Sequence, residues 1–267
     1  MLERRELGGL LWNANLVENY PGFPNGVRGE KLIGLMRKQL TRIGVEIERE
    51  EVERVDWKQN HFTVVTQHAV RNTQYLIVAS GTKSKPLPNM ISPEARSRVF
   101  TEVWPLLGEV GKRIVIIGAG DAAFDYALNL SKKRNNVTIL NRGETVKCLA
   151  LLFDRAAQEA RIRYRAGVAV SRITLDETAT SLKVQCEAET VEADHVLFAI
   201  GRVPNRDFLS EEVRQRELEL VEAGRLYFVG DVKNELFRQV AIAAGDGLRA
   251  AMQIYSRMTN ENFSEDR

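Results

Sequence analysis

The sequence is poor in cysteine and histidine, and it has no long apolar run. Its two cysteines, Cys148 and Cys186, are too few for a disulfide framework and too far apart for a Cys-x-x-Cys redox pair. Its three histidines show no metal-ligand spacing. The longest apolar runs stop well short of the roughly 18 residues that span a bilayer. These absences exclude a disulfide-rich secreted domain and an integral membrane protein.

An excess of one charge sign is also lacking. The sequence has thirty-eight Lys and Arg and thirty-six Asp and Glu, which gives a formal charge of +2, and it contains no block of basic residues. We therefore expect no nucleic-acid partner. The N-terminus is charged from Glu3 onward and has no apolar stretch typical of a secretory signal, so we expect a cytoplasmic protein. The 267 residues, 44% of them hydrophobic, suffice for one large or two ordinary domains.

The first third of the chain predicts a helix followed by strands. Apolar residues at helical spacing predict an amphipathic helix over residues 30–43, which Gly44 ends. Short β-like runs follow at 45–47, 52–57 and 62–66. Residues 75–79 form a continuous apolar run, which predicts a strand buried on both faces that ends at Gly81. Four prolines between residues 82 and 111 predict a connector.

The remaining chain begins with a βαβ unit. Residues 113–117 predict a strand, 118–123 a turn, 124–133 a helix and 137–141 a second strand. A helix at 151–161 and an antiparallel meander at 168–193 precede an apolar strand at 194–200, which ends at Gly201 as the earlier one ends at Gly81. The chain therefore contains two similar cycles. A last strand at 225–229 and a helix from Arg238 to about Met258 precede a polar tail.

The sharpest motif is Gly118-x-Gly120-x-x-Ala123, which includes Asp121. The first glycine permits a tight turn, the second lets a pyrophosphate approach the backbone, and the small third residue brings helix and strand together. Such a turn can also be purely structural. Because it lies inside a complete βαβ unit, it predicts a dinucleotide site.

The end of the second strand of that unit bears on which nicotinamide is bound. A carboxylate there would favour NADH, whereas an arginine favours the 2′-phosphate of NADPH. The chain has Asn141 and Arg142 at this point, with Lys147 close behind. We therefore predict NADPH, with NADH as the alternative if Arg142 is only a solvated charge at a strand end.

Six further segments occur in a characteristic order around this motif. Together they resemble the thioredoxin reductase-like flavoproteins of the pyridine nucleotide-disulfide oxidoreductase superfamily. The resemblance covers nearly the whole chain and is carried by Gly8-Gly-Leu, Val17-Glu-Asn-Tyr-Pro-Gly-Phe-Pro24, Ile77-Val-Ala-Ser-Gly81, Ala199-Ile-Gly-Arg-Val-Pro-Asn205, Gly230-Asp-Val with Arg238-Gln239, and Ala244-Gly-Asp-Gly247.

The resemblance implies an α/β fold with two Rossmann-like nucleotide-binding domains of the three-layer ββα type. The NAD(P) domain, residues 108–205, would be inserted into an N-terminally truncated FAD domain formed by residues 1–107 and 206–267. Reduced nicotinamide would pass a hydride to the flavin, and relatives pair as homodimers through their FAD domains.

The resemblance also assigns binding positions. Gly118, Gly120 and Ala123 would hold NAD(P)H, and Gly201 would close that domain. Asp231 would meet the flavin ribitol, and Gln239 would lie toward the isoalloxazine. Each glycine could instead be an ordinary turn residue, and Asp231 could cap the last helix. The full set of positions that it places near FAD is Glu3, Gly9, Asn19, Gly81, Gly230, Asp231 and Gln239. It implies no catalytic side chain and no metal.

Two departures from the family pattern limit what can be carried over. Members that reduce thioredoxin have a Cys-x-x-Cys pair between the first strand-ending glycine and the nicotinamide motif, and residues 82–118 contain no cysteine. An ordinary disulfide reductase is therefore not expected. Relatives of similar architecture that also lack the pair are ferredoxin- or flavodoxin-NADP reductases. The acceptor stays open between a ferredoxin-like protein, a quinone and a small oxidant.

The second departure lies at the N-terminus, where such flavoproteins have a strand and a Gly-x-Gly-x-x-Gly turn for the FAD pyrophosphate. Residues 1–4 match the tail of the following strand, with Glu3 in place of its ribose-binding acid. A late start, a loss of FAD binding, or an element supplied by another chain would each explain this. We favour the first, because a sheet without its central strand leaves ladder groups uncovered.

Two functions follow as hypotheses. The first is an FAD-dependent NAD(P)H oxidoreductase that has no internal dithiol and passes electrons to an external acceptor. The second is a nicotinamide-binding regulatory or sensor protein that has lost flavin catalysis.

Overall fold

The computed structural model describes residues 1–265, with side chains described through residue 259. In chain order, the helices are α1 (Gly29–Arg42), α2 (Asp121–Ser131), α3 (Ala150–Gln158), α4 (Glu211–Gln215), α5 (Glu217–Glu222) and α6 (Val240–Glu265). The strands are β1 (Val52–Lys58), β2 (His61–Thr66), β3 (Val70–Thr73), β4 (Leu76–Val78), β5 (Thr82–Ser84), β6 (Val99–Phe100), β7 (Arg113–Ile117), β8 (Asn136–Leu140), β9 (Ile162–Arg165), β10 (Val170–Leu175), β11 (Leu182–Cys186), β12 (Thr190–Ala193), β13 (His195–Phe198), β14 (Arg202–Pro204) and β15 (Leu226–Phe228).

The middle of the chain forms a three-layer unit, which we call the inserted domain (residues 99–198). Its centre is a parallel five-stranded sheet in the order β6-β13-β7-β8-β9. Ile114 and Ile116 face the layer of α2 and α3, while Val115 between them faces the meander β10-β11-β12. This alternation follows from the period of two along a strand. Because β6 begins at Val99, the sheet starts before the predicted boundary at residue 108.

The segments on either side of the inserted domain pack together as the outer domain. It contains an antiparallel meander, β1-β2-β3, and a parallel pair, β4 and β15. The rings of Trp57 and Phe62 meet edge to face with centroids 4.6 Å apart, and both side chains are buried. Val78 and Leu226 join them in one core, which ties the two strand sets together.

Several elements differ from the sequence prediction. Residues 45–47 do not form a strand, and only Glu48 makes a bridge there, to Leu2. The apolar run at 75–79 is not buried on both faces, because β4 pairs with β15 alone among the described residues and leaves Ile77 42% exposed. Strand β9 was not predicted, because it has only four residues and directly follows the predicted helix at 151–161. Helix α6 continues past Met258 to Glu265, and residues 266 and 267 of the predicted tail lie outside the described residues.

Two short strands carry the chain between the domains. β5 pairs antiparallel with β14, so that Ser84 lies opposite Arg202. The Arg202 guanidinium donates to the Glu102 carboxylate at 2.6 Å, to the Ser84 hydroxyl at 3.1 Å, and to the hydroxyl and carbonyl of Thr82, both at 2.8 Å. The Arg202 side chain therefore holds together the two strands through which the chain passes from one domain to the other.

A second contact joins residues 13–18 of the outer domain to α2 and α3. Arg155 makes a two-pronged ion pair with Glu18, at 2.6 and 3.0 Å. The backbone N–H of Asn15 donates to the Asp125 carboxylate at 3.2 Å, and Lys132 donates to the Asn15 side chain at 2.5 Å. The two domains are thus linked by polar groups as well as by the strands.

The carboxyl group of Asp125 makes this contact sensitive to pH. Its pKa is raised from an ordinary 3.8 to about 6, mainly because burial disfavours its charged form, while the Asn15 N–H and Lys132 oppose the shift and Glu18 adds to it. Since the folded pKa lies above the unfolded one, the penalty for ionisation appears as the pH rises from about 4 to about 6. We expect Asp125→Asn to raise stability at pH 7.5 by about 2 kcal/mol, with the gain vanishing near pH 4.

Urea unfolding of the variant and the parent chain across pH 4–8 measures this difference directly. Asp154→Asn, at an exposed position of α3, controls for the change in charge. A stability gain from Asp125→Asn that is equal at all pH values would contradict the assignment.

Candidate functional site

The predicted glycine turn joins the end of β7 to the start of α2. Gly118 has φ +123°, and a Cβ placed on it would lie 2.3 Å from the Ala199 carbonyl oxygen, so only glycine fits. Gly120 caps α2 with ordinary extended backbone, and the nearest atom to a Cβ there would be the Lys147 carbonyl oxygen at 3.7 Å. Packing against Ala199 therefore requires glycine at position 118, whereas there is free space beside Gly120.

The other two residues of the turn support its shape. Ala123 is fully buried and packs in the core between the sheet and α2. Asp121 is exposed in the first turn of α2, and its carboxylate accepts the backbone N–H of Leu149 at 2.8 Å. This hydrogen bond holds the start of α3 against the turn. It gives Asp121 a structural role that requires no ligand.

The loop after β8 folds back along the glycine turn. The backbone N–H of Lys147 donates to the Ala119 carbonyl at 3.1 Å, and Lys147 bridges Gly120. An exposed lysine therefore flanks the N-terminus of α2. Sequence spacing placed Lys147 close behind Arg142 but gave no sign of this contact, which depends on the path of the loop.

Asn141 and Arg142 have different places in this loop. The Asn141 amide donates to the Thr145 carbonyl at 3.0 Å and to the Tyr164 hydroxyl at 2.9 Å, and its oxygen accepts the Gly143 N–H at 3.1 Å. These three hydrogen bonds hold the Asn141 side chain in place and stabilise the conformation of the loop. Arg142 is exposed beside it and makes no ion pair within the described residues.

These residues fit a dinucleotide. The first N–H groups of α2 have no partner inside the helix, and the helix dipole favours an anion at this end. Gly120 leaves room for a pyrophosphate to reach those groups, and Lys147 supplies a positive charge beside them. Arg142 offers a further cation at the end of β8, where a ribose phosphate would lie.

Two of the predicted flavin residues, Gly230 and Asp231, lie near the start of α6. Gly230 follows β15 with φ +71°, and its N–H donates to the Asp246 carboxylate at 3.1 Å. The next residue, Asp231, accepts no hydrogen bond within the described residues. Burial raises its pKa, while the positive charges of Arg238 and Arg202 oppose the rise. A half-buried carboxylate without a donor fits a ligand hydroxyl group, as the ribitol of FAD would provide.

Four other predicted positions lie beside α6 or next to the crossing strands. The Asn19 amide donates to the Gln239 side chain at 2.5 Å, so these two residues are brought together. Gly81 ends the segment after β4 with φ +63°, and its carbonyl accepts the Asn205 N–H at 3.0 Å. Gly201 has φ +106°, and its carbonyl accepts the Lys85 N–H at 3.1 Å, next to the crossing strands.

Two of the predicted positions lie elsewhere in the outer domain. Gly9 begins a short 3₁₀ turn with φ +48°, and no atom lies within 4 Å of where its Cβ would be. The backbone N–H of Glu3 donates to the Glu48 carbonyl at 3.0 Å, and its side chain accepts the Arg5 N–H at 3.1 Å. Neither residue contacts the group around Asp231 through a described hydrogen bond or ion pair.

The cysteines do not form a redox pair. Cys148 lies in the loop before α3 and Cys186 at the end of β11, and both are free. Burial raises the pKa of each thiol, with the negative charges of Asp121 and Glu189 adding to the effect. Both thiols therefore stay protonated and weakly nucleophilic at neutral pH. Among the side chains described, no group of His, Cys, Asp and Glu is arranged to hold a metal.

Comparison with known proteins agrees with this geometry. The chain is 27% identical to the thioredoxin reductase of Chlamydia pneumoniae over 264 residues, which cover 92% of this chain and 85% of that protein. It is 28% identical to the thioredoxin reductase of Borreliella burgdorferi over 269 residues, covering 95% and 82%. It superposes on the crystal structure of Lactococcus lactis thioredoxin reductase in the FR conformation with a TM-score of 0.80 and 26% identity, covering 96% and 89% of the two chains.

These similarities confirm the predicted fold class, with its two Rossmann-like domains, and the resemblance on which it rested. FAD and NADPH are the cofactors of thioredoxin reductases, as the sequence led us to expect. Within residues 1–265, no helix is both long and apolar enough to cross a membrane. A family model described as pyridine nucleotide-disulphide oxidoreductase matches residues 2–247, and the chain belongs to this family of flavoprotein oxidoreductases.

Proposed function

We propose that this chain is an NADPH-dependent FAD oxidoreductase that passes electrons to an external acceptor without an internal dithiol. The observation that carries the proposal is the pair of prepared sites, the open cradle at Gly120 and the unpartnered carboxylate of Asp231. When bound, the flavin accepts a hydride from reduced nicotinamide and releases electrons singly or in pairs. The chain itself supplies positioning and charge, and no side chain needs to act as nucleophile or base.

The residues of each site have distinct parts in this scheme. Gly118, Gly120 and Ala123 shape the turn, and the N-terminus of α2 with Lys147 balances the pyrophosphate charge. Asp231 holds a flavin hydroxyl, and the Asn19–Gln239 pair fixes the loop beside it. We propose the two-domain division predicted from the sequence, 1–107 with 206–267 and 108–205, with its first limit moved back to residue 99 because β6 belongs to the inserted sheet. We also propose a cytoplasmic location and a homodimer.

The acceptor follows from where the cysteines are. Neither Cys148 nor Cys186 lies between β5 and β7, so this chain has no dithiol there to receive electrons from a flavin. A ferredoxin-like protein, a quinone or a small oxidant can take electrons directly from a reduced flavin. The names of the relatives point instead to thioredoxin, which we therefore include as a competing acceptor.

The test is the visible absorption spectrum of the purified chain, supplemented with FAD, before and after anaerobic addition of NADPH. We expect a flavin spectrum that NADPH bleaches and that ferricyanide or a quinone restores, with no NADPH-dependent reduction of thioredoxin. Thioredoxin reduction would overturn the acceptor assignment alone.

A second candidate function is favoured by the position of the Gly120 cradle, whose residues all lie within the inserted domain and do not include any residue of the group around Asp231. A colourless chain that binds NADPH but no FAD would overturn the oxidoreductase proposal and support a nicotinamide-binding sensor.

The choice of nicotinamide is tested through Arg142 and Lys147. We expect Arg142→Ala to weaken NADPH binding by roughly 10- to 100-fold, because a charge-assisted hydrogen bond to the 2′-phosphate is lost, and to leave NADH binding unchanged. Lys147→Ala should weaken both, because it lies at the pyrophosphate end. Calorimetric titration with each nucleotide measures the effects, and Arg172→Ala on the exposed face of β10 is the control. Equal losses for both nucleotides in Arg142→Ala would contradict the 2′-phosphate assignment.

A further inference from the structure

One short segment of the outer domain, residues 13–19, lies between the two predicted nucleotide sites. At its end, the Asn19 amide donates to the Gln239 side chain at 2.5 Å. The residue before it, Glu18, accepts two hydrogen bonds from Arg155, at 2.6 and 3.0 Å. Arg155 belongs to α3 of the inserted domain. One ion pair therefore joins the residues assigned to the flavin to a helix of the nicotinamide domain.

Backbone and core contacts hold the outer-domain end of this ion pair. Val17 and Val27 form an antiparallel bridge, with N–H to carbonyl distances of 2.8 and 2.9 Å. Their side chains are buried together with Leu32 of α1. A Cβ placed on Gly26 would lie 3.2 Å from Cγ of Glu18, so the loop packs closely against the stem of the glutamate. The Glu18 carboxylate is thus presented from a fixed point.

The inserted-domain end of the ion pair is held equally firmly, beside the Gly120 cradle. The backbone N–H of Leu149 donates to Asp121 at 2.8 Å, immediately before α3 begins. Within α3, the ring of Phe153 packs against that of Phe124 on α2, with centroids 5.6 Å apart. Arg155 follows on the same helix, about 8 Å along its axis from the first residue. The position of its guanidinium is therefore coupled to that of the cradle.

The relative placement of the two domains matters because each cofactor would be held by a different domain. Hydride transfer needs the reacting atoms about 3–3.5 Å apart, and a misplacement of about 1 Å can cost roughly a hundredfold in rate. A two-pronged pair of arginine and carboxylate fixes orientation as well as distance. The same segment also meets α2, which begins directly after Gly120, where the Asn15 N–H donates to Asp125 at 3.2 Å. Both helices that begin beside the cradle are thus in contact with residues 13–19.

We propose that Glu18 and Arg155 are a positioning pair, which holds the nicotinamide site against the flavin site at the placement that hydride transfer needs. This inference rests on the proposed oxidoreductase function. The two side chains are 42% and 39% exposed, so their ion pair adds little to stability. Its removal should therefore change the placement of the domains and leave each domain folded.

Rapid-mixing kinetics of the FAD-loaded chain test the effect on the reaction. Arg155→Glu sets two carboxylates against each other, and we expect the rate of flavin bleaching at saturating NADPH to fall at least tenfold. The dissociation constants of NADPH and FAD, measured by calorimetry, should change less than twofold. The exchanged pair Glu18→Arg/Arg155→Glu should recover most of the rate. Arg216→Glu is the control, because it reverses a charge of similar exposure within α5.

Distances between spin labels measure the placement of the domains without any cofactor. In a chain carrying Cys148→Ala and Cys186→Ala, labels are attached at Arg172→Cys on β10 and Leu218→Cys on α5, both exposed positions. We expect one narrow distance distribution when the ion pair is intact, a broad or shifted one with Arg155→Glu, and a narrow one again with the exchanged pair.

Two results would overturn the proposal. The first is a label distribution that Arg155→Glu leaves unchanged, and the second is a loss of bleaching rate that the exchanged pair does not recover. A chain that binds no flavin would overturn the oxidoreductase function, whereas the label distances would still show whether Glu18 and Arg155 set the placement of the domains. The two failures are therefore distinguishable.

Discussion

Gly120→Ala is expected to reduce NADPH affinity by at least a hundredfold while the chain remains folded. Gly120 has ordinary backbone angles and nothing closer than 3.7 Å to an added Cβ, so the protein itself tolerates the change. Alanine is a poorer helix cap than glycine, which costs at most about 1 kcal/mol. The added methyl group instead fills the space through which the pyrophosphate reaches the N-terminus of α2. Calorimetric NADPH titration together with urea unfolding separates the two effects.

Gly118→Ala provides the matched contrast two residues away. There the added Cβ meets the Ala199 oxygen at 2.3 Å and the backbone has φ +123°, so we expect a loss of about 3 kcal/mol of stability or more. If Gly120→Ala destabilised the chain as much as Gly118→Ala, or bound NADPH normally, the cradle would not be where we place it.

Arg202→Ala is expected to cost about 3 kcal/mol of unfolding free energy, because it leaves the Glu102 carboxylate without its charged partner. The ion-paired side chains are only 17% and 21% exposed, and Arg202 makes four hydrogen bonds that join β14 to β5 and Glu102. Unfolding in urea, followed by tryptophan fluorescence, measures the loss.

Arg216→Ala is the matched control, since its pair with Glu219 is exposed to solvent and such pairs contribute about 0–1 kcal/mol. A Glu102→Gln/Arg202→Met double variant should recover part of the loss, because no unpaired charge remains. A cost for Arg202→Ala no larger than that of the control would show that the crossing strands do not depend on this ion pair.

The glycine turn could be predicted from sequence because its demands are local. Gly118 needs a positive φ, Gly120 needs space, and both follow a strand and open a helix, all within ten residues. The position of Lys147 could not be predicted, because it depends on a loop that folds back to bridge Gly120. The structural role of Asn141 could not be predicted for the same reason. Its hydrogen-bond partner Tyr164 lies on β9, a strand that the sequence pattern did not indicate.

Burial was harder to predict than secondary structure. The run at 75–79 predicts a buried strand, yet Ile77 is exposed because, among the described residues, β4 has one neighbouring strand where an apolar run of this kind usually has two. In α6 the sequence does show a helix, but which apolar face is covered depends on what packs against it. Local pattern determines the element, and long-range pairing decides which of its faces meets solvent.

The pairing of β5 with β14 also bears on how a protein of this kind is assembled from modules. The chain leaves the outer domain and returns to it through adjacent antiparallel strands, with Ser84 opposite Arg202. Residues paired in this way have Cα atoms only about 4.5–5.5 Å apart. A gene segment encoding the intervening residues can therefore be inserted or removed at one point without stretching the outer domain, which makes this crossing a natural site for exchanging one nucleotide-binding module for another.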